Sequence, residues 1–252
     1  MNFQLPHIPN RPKKPRKNGL TMVMDKGLSV SQADNLIESS GKYIDIIKLG
    51  FGTSLVTDKV QEKIQKYQDA DIIVYLGGTL FEAFIIRDMF NDYKHLLDKW
   101  NLTHCEVSDG SISINKQQKL EFIMDLAKKY TVLSEIGYKD DRKLKPKDWS
   151  KLMNEEIEAG SWKVIAEARE SGNTGIFNDT NQIDQKIITE ITSSVPYDKI
   201  IWETPKKDQQ RWFIENIGPN VNLGNIAHTD TIALETLRIG LRGDTFFNYL
   251  KK

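Results

Sequence analysis

Eight short apolar runs punctuate the chain, and an amphipathic stretch follows each of them. The runs are residues 20–24, 43–49, 71–76, 102–107, 131–136, 162–168, 199–202 and 221–223. They are continuous and rich in β-branched side chains, as suits parallel strands covered on both faces. The intervening stretches predict helices over 31–40, 57–68, 81–100, 115–130, 146–159, 180–194, 208–217 and 229–241. Gly41 reads as a C-cap, and residues 81–100 have the length of two helices. In 115–130, Leu120, Ile123, Met124 and Ala127 form one stripe. Pro146 sits at a first turn and Gly160 follows a last one. Strict alternation of strand and helix means a parallel sheet, and eight repeats of about 30 residues suit a closed ring. The predicted fold is α/β, a (β/α)8 TIM barrel in a single domain over 19–252, with an extended arm over 1–18. An open, doubly wound sheet is the alternative.

Composition narrows the function classes. With 252 residues, 39% hydrophobic and 28% charged, the chain suits one soluble domain. Lysine plus arginine and aspartate plus glutamate number 35 each, so no global charge argues for nucleic acid. No apolar run approaches a membrane span, and the N-terminus lacks a signal-peptide pattern. Cys105 is the single cysteine, which fits a reducing compartment and a cytoplasmic location. Arg11-Pro12-Lys13-Lys14-Pro15-Arg16-Lys17 reads as a proline-stiffened surface arm, with localisation or polyanion binding as other uses.

Barrel chemistry gathers where strands end. Ionisable residues recur there: Asp25-Lys26-Gly27, Lys48-Leu49-Gly50, Glu106-Val107-Ser108-Asp109-Gly110, Glu135-Ile136-Gly137-Tyr138-Lys139, Glu167-Ala168-Arg169-Glu170 and Glu203. A charge embedded in an apolar strand needs a wet mouth, a ligand or a partner. Lys48 follows Ile44 and Ile46 at period two, so it is expected to point inward, toward a ligand or toward Glu106 or Glu203. Glu106, Glu135, Glu167 and Glu203 converge from neighbouring strands and suit a hard divalent cation, with Mg²⁺ favoured. The four histidines show no zinc-ligand spacing. Asn222-Leu223-Gly224-Asn225-Ile226 reads as a turn suited to phosphate. Arg238 and Arg242, four apart, would share a helix face, with Arg242 either an anion ligand or a capping residue. Gly77-Gly78-Thr79 lets backbone approach a ligand.

These stretches, together with Lys48-Leu49-Gly50-Phe51-Gly52-Thr53-Ser54, Gly77-Gly78-Thr79-Leu80-Phe81-Glu82 and Leu237-Arg238-Ile239-Gly240-Leu241-Arg242-Gly243-Asp244-Thr245, resemble the phosphosulfolactate synthase family. That family includes a plant heat-stress-associated protein and bacterial homologues. The resemblance implies a barrel, Mg²⁺ dependence and addition of sulfite to phosphoenolpyruvate, a step toward coenzyme M in methanogens. It also implies a homo-oligomer, since archaeal members are trimers. The family's proposed catalytic lysine lies in a Ser-Glu-Val-Gly-x-Lys motif, which falls on Lys139, with Ile136 in place of the valine and Tyr138 before the lysine.

The resulting assignment makes Lys139, Lys48, Glu106 and Arg169 catalytic, with a lowered pKa expected for Lys139. Asp25, Lys26, Gly78, Asn222, Gly224, Asn225 and Arg242 are substrate-binding, and Glu135, Glu167 and Glu203 hold the metal. The implied partners are small anions, with neither nucleic acid nor membrane. A Schiff-base aldolase using Lys48 or Lys139, or a non-catalytic stress protein, is the competing reading.

Overall fold

The computed structural model describes residues 3–139, 142, 144–168, 175–177 and 183–250. The strands are β1 (Thr21–Asp25), β2 (Ile46–Leu49), β3 (Ile73–Leu76), β4 (His104–Val107), β5 (Thr131–Ile136), β6 (Ser161–Ala166), β7 (Ile200–Glu203) and β8 (Leu223–Ala227). The helices are α1 (Val30–Ser40), α2 (Val60–Asp69), α3 (Gly78–Ile85), α4 (Phe90–Lys99), α5 (Lys116–Leu126), α6 (Pro146–Glu158), α7 (Gln185–Ser194), α8 (Lys207–Asn216) and α9 (Thr231–Arg238). Stretch 81–100 is thus two helices. Local signals set the starts: Ser29 and Gln32 form a capping box on α1, Asn115 caps α5, and Pro146 opens α6.

The strands pair in parallel in the order β3-β2-β1-β8-β7-β6-β5-β4. The two ends of that order lie against each other. Gly78 N–H donates to Glu106 Oε1 across this seam at 2.7 Å. The architecture is a (β/α)8 barrel nearly closed by its ladders. Leu20, Met22, Ile46, Tyr75, Leu133, Ile165 and Ile201 fill its interior. The alternate positions, such as Val23, Ile47, Leu49 and Val74, pack outward against the helices.

Two local expectations need correction. Stretch 222–226 is largely strand β8 rather than a turn, because Gly224 makes room inside the barrel. A Cβ there would lie 2.4 Å from Met22 Cε and 2.9 Å from Ile201 Cγ2. A bulge follows at Asn225, where φ is 55° and the pairing with β1 shifts register. Gly41 is the C-cap of α1, as expected, with a right-handed backbone that leads into a 3₁₀ turn. Ile44 packs with the outer core, because the strand and its alternation begin only at Ile46.

The basic arm lies against the N-terminal end of the barrel, with Arg11, Lys14 and Arg16 engaged. Arg11 donates to Asn220 Oδ1 at 2.6 Å and to Glu235 at 3.1 Å. Arg16 pairs with Asp45 at 3.0 Å, and Lys14 donates to Gly41 O. Beside them Arg238 is fully buried and donates to Pro219 O, Val221 O and Leu20 O. Arg238→Met is expected to lose about 3 kcal/mol of stability, the scale of removing a buried charged donor. Urea unfolding should show a lower midpoint at unchanged slope.

Candidate active site

The C-terminal ends of the strands carry a buried ionic cluster. Lys48 shares the inward face of β2 with Ile46, so its ammonium rises through the barrel core to the rim. Its Nζ lies 3.1 Å from Glu106 Oε2, 3.2 Å from Glu135 Oε2 and 3.3 Å from Glu203 Oε1. Lys139 follows β5 and reaches back, its Nζ 2.7 Å from Glu135 Oε1 and 3.5 Å from Glu167 Oε2. Glu203 Oε2 accepts the Ala168 N–H at 3.0 Å. All four glutamates are buried. Gly78 is required here: a Cβ would lie 2.4 Å from Glu106 Oε1 and 2.5 Å from Ser108 Cβ.

Burial and crowding set the charges. Burial would neutralise Lys48, yet Glu106, Glu135 and Glu203 hold its pKa well above the usual value. Burial also opposes the charge on Lys139, but Glu135 and Glu167 raise its pKa. The expected lowering is therefore wrong: two carboxylates outweigh desolvation and the neighbouring Lys48. Against burial, Lys139 and Lys48 keep Glu135 well below the carboxylate range. Burial beside Glu135 and Glu203 drives the Glu167 pKa far up. Burial pushes Glu203 up to about 7 and also raises Glu106. Neither lysine is held in the neutral form that imine chemistry requires.

Above the cluster opens a pocket of about 360 Å³. Lys48, Glu135, Lys139, Glu167, Glu203 and Asn225 line it, with Met24, Phe51 and the Gly77-Gly78-Thr79 start of α3. One carboxylate oxygen from each of Glu135, Glu167 and Glu203 falls within 4.8 Å of the others. Glu167 Oε2 is buried without a hydrogen bond among the described residues, with the Lys139 ammonium 3.5 Å away. Hard oxygen donors at this spacing fit a small divalent cation.

Lys48, Lys139, Glu135, Glu167, Glu203, Gly78 and Asn225 thus meet in one pocket, with Glu106 beneath it. Four substrate-binding candidates are not among the residues lining this pocket. Asp25 faces away from the pocket, where it accepts from Gly27 N and Leu28 N and pairs with Lys63 on α2 at 2.8 Å. Asn222 is buried at the opposite end of β8, its amide joining Leu20 N, Asp198 O and Ile200 O. Gly224 serves interior packing. Arg242 lies beyond the end of α9 and shares no helix face with Arg238; its carbonyl accepts Thr245 N–H in the following turn. Lys26 is exposed near the rim, its ammonium 5.9 Å from the Phe51 ring centroid. Arg169 lies outside the described residues.

Glu82 and Ser108 belong to the cluster and were not selected from the sequence. Ser108 Oγ lies 2.6 Å from Glu82 Oε1 and 2.9 Å from Glu135 Oε1, and all three residues are buried. Glu82 lies four residues beyond Gly78, one turn along α3 on the face turned to the rim. That spacing was the available signal.

Fold and site together define the class: a (β/α)8-barrel enzyme whose ionised pocket lies at the C-terminal rim of the strands. Comparison with known proteins refines this. The profile of the (2R)-phospho-3-sulfolactate synthase (ComA) family matches residues 9–244. The phosphosulfolactate synthase of Methanothermobacter thermautotrophicus is 43% identical over 94% of this chain and 95% of its own. That of Bacillus subtilis is 39% identical over 95% and 97%. Among solved structures, 3-hexulose-6-phosphate synthase from Salmonella typhimurium superposes with a TM-score of 0.58 at 12% identity, covering 88% of this chain and 100% of that one. The last likeness concerns the fold alone. The chain belongs to the phosphosulfolactate synthase family and is an enzyme of that family. No helix among the described residues is long and apolar enough to cross a membrane.

Lys48→Met removes the ammonium that Glu106, Glu135 and Glu203 share. It is expected to cost about 3–5 kcal/mol, the scale of leaving buried charge unpaired. Carboxylates with raised folded-state pKa values bind protons in the folded chain that the unfolded chain has released. Stability therefore falls as pH rises through their folded pKa values. The deficit in urea unfolding should be larger at pH 8 than at pH 5.

Proposed function

We propose that this enzyme adds sulfite to phosphoenolpyruvate to give 2-phospho-3-sulfolactate, with Lys139 as general acid and Mg²⁺ as cofactor. One observation carries the reading: a protonated lysine projects into the pocket beside three carboxylates spaced for a divalent cation. The names and identities of the relatives support the same reaction.

The sulfur lone pair of sulfite forms a C–S bond at the methylene carbon. The π electrons of the double bond move to the neighbouring carbon and onto the substrate carboxylate. Lys139 then delivers its proton to the carbon bearing the phosphate. It starts protonated, as an acid must, and its 22% side-chain exposure puts it in contact with the pocket. Lys48 supplies fixed positive charge at the floor, and the N-terminus of α3 points backbone dipoles at the same space. Glu135, Glu167 and Glu203 are the residues that would hold Mg²⁺, which when bound opposes the charge collecting on the carboxylate. Assembly as a homo-oligomer, a trimer, belongs to the same reading. Exposed Phe246 and Phe247 at the chain's end support it, and light scattering would test it.

Purified protein incubated with sulfite, phosphoenolpyruvate and Mg²⁺ should yield the sulfonated product by mass. Chelation with EDTA should abolish turnover, and added Mg²⁺ should restore it. Lys139→Ala should keep the fold by circular dichroism and lose turnover by about 10²-fold or more. Turnover near the wild-type value would reject Lys139 as the acid.

A further inference from the structure

Behind the pocket wall, outside the barrel, α5 carries a buried lysine that does not itself line the pocket. Lys119 is 5% exposed. Its Nζ donates to the Glu135 main-chain oxygen at 2.6 Å and to Asp109 Oδ1 at 2.8 Å, and it pairs with Glu156 Oε1 at 2.8 Å. An ammonium has three protons, and here each has an acceptor. The acceptors come from the end of β5, the loop after β4, and α6.

We infer that Lys119 is a positioning residue for the reaction, fixing Glu135 and Lys139 relative to each other. The inference rests on the reaction proposed above. Its force comes from what Asp109 adjoins. The next residue, Gly110, accepts the Lys139 main-chain N–H at 2.9 Å. Gly110 also forms the surface along which the lysine stem lies, since a Cβ there would meet Lys139 Cγ, Cδ and Cε at 3.2–3.3 Å. The preceding residue, Ser108, holds Glu135 through its hydroxyl. Arg142 binds the carbonyls of Asp109 and Gly110, so the loop is gripped from both sides. One ammonium therefore tethers the main chain of Glu135 and the loop against which Lys139 rests. Without it, Asp109 and the Glu135 carbonyl lose their common anchor, and the proton donor moves relative to the carboxylates.

Removing Lys119 also strands Glu156, whose Oε2 is already buried without a hydrogen bond. A loss of stability alone would therefore decide nothing, and the test separates the two effects. Lys119→Met is expected to lower kcat about 10- to 100-fold while KM for phosphoenolpyruvate moves less than about 3-fold, the range for displaced supporting contacts. The double variant Lys119→Met, Glu156→Gln removes the stranded carboxylate. It should regain most of the lost thermal stability and keep the low kcat. Recovery of kcat together with stability, or an unchanged kcat in Lys119→Met, would overturn the proposal. Hydrogen exchange gives a readout independent of turnover. The Lys139 amide should exchange faster in both variants while amides of β7 keep wild-type protection, and unchanged exchange at Lys139 would also overturn the proposal. If wild-type protein fails to turn over sulfite and phosphoenolpyruvate, the reaction assignment falls while this exchange result still decides the tether.

Discussion

An excess of buried negative charge over positive governs this molecule. Glu82, Glu106, Glu135, Glu167 and Glu203 gather around Lys48 and Lys139, all but Lys139 sealed from solvent. Ionising every carboxylate would leave a net negative pocket, which a low-dielectric interior does not tolerate. The structure answers in two ways. Each lysine is shared among several carboxylates, and the carboxylate pKa values are driven apart, Glu167 upward and Glu135 downward. An anionic substrate would worsen the imbalance. A divalent cation at Glu135, Glu167 and Glu203 would reverse it, so charge accounting links metal and substrate before any chemistry is considered.

The fold serves this cluster. Eight parallel strands aim their C-terminal ends at one rim, and period-two alternation puts Lys48 on the same face as the apolar residues below it. The ladder does not run between β3 and β4, and a member of the cluster bridges that seam: Glu106 binds the first N–H of α3. At the opposite end, Arg238, Asn222 and the N-terminal arm hold loops and strand starts together. One end of the barrel thus carries the pocket's ion chemistry and the other carries structural polar contacts, the usual division in this fold.

Much of this was legible in the residues. Continuous apolar runs gave the strands, and a glutamate after the apolar part of β4 to β7 gave the rim. Period two gave the direction of Lys48, and applied to Met22, Met24 and Asp25 it would also have turned Asp25 outward. The failures have physical reasons. Asn222 and Gly224 were misplaced because β8 starts later and runs further than its apolar residues suggest, with a glycine and a bulge inside it. Glu82 and Lys119 reach the site region from helices, and no linear spacing shows which strand a helix residue will meet. The basic arm read only as a proline-stiffened surface segment because the acceptors of Arg11 and Arg16, namely Glu235, Asn220 and Asp45, are far away in sequence. The pKa of Lys139 depends on a balance of opposed effects that residue identities alone do not fix.

The central proposal is that the carboxylate triad of the pocket takes a divalent cation in place of a proton. Calorimetric titration with Mg²⁺, repeated at one neutral pH in buffers of different ionisation enthalpy, counts the protons released on binding. The account predicts a single site that releases about one proton per ion, and loses that release in Glu167→Gln. Binding with no proton release by the wild-type protein, or no binding at all, would contradict it.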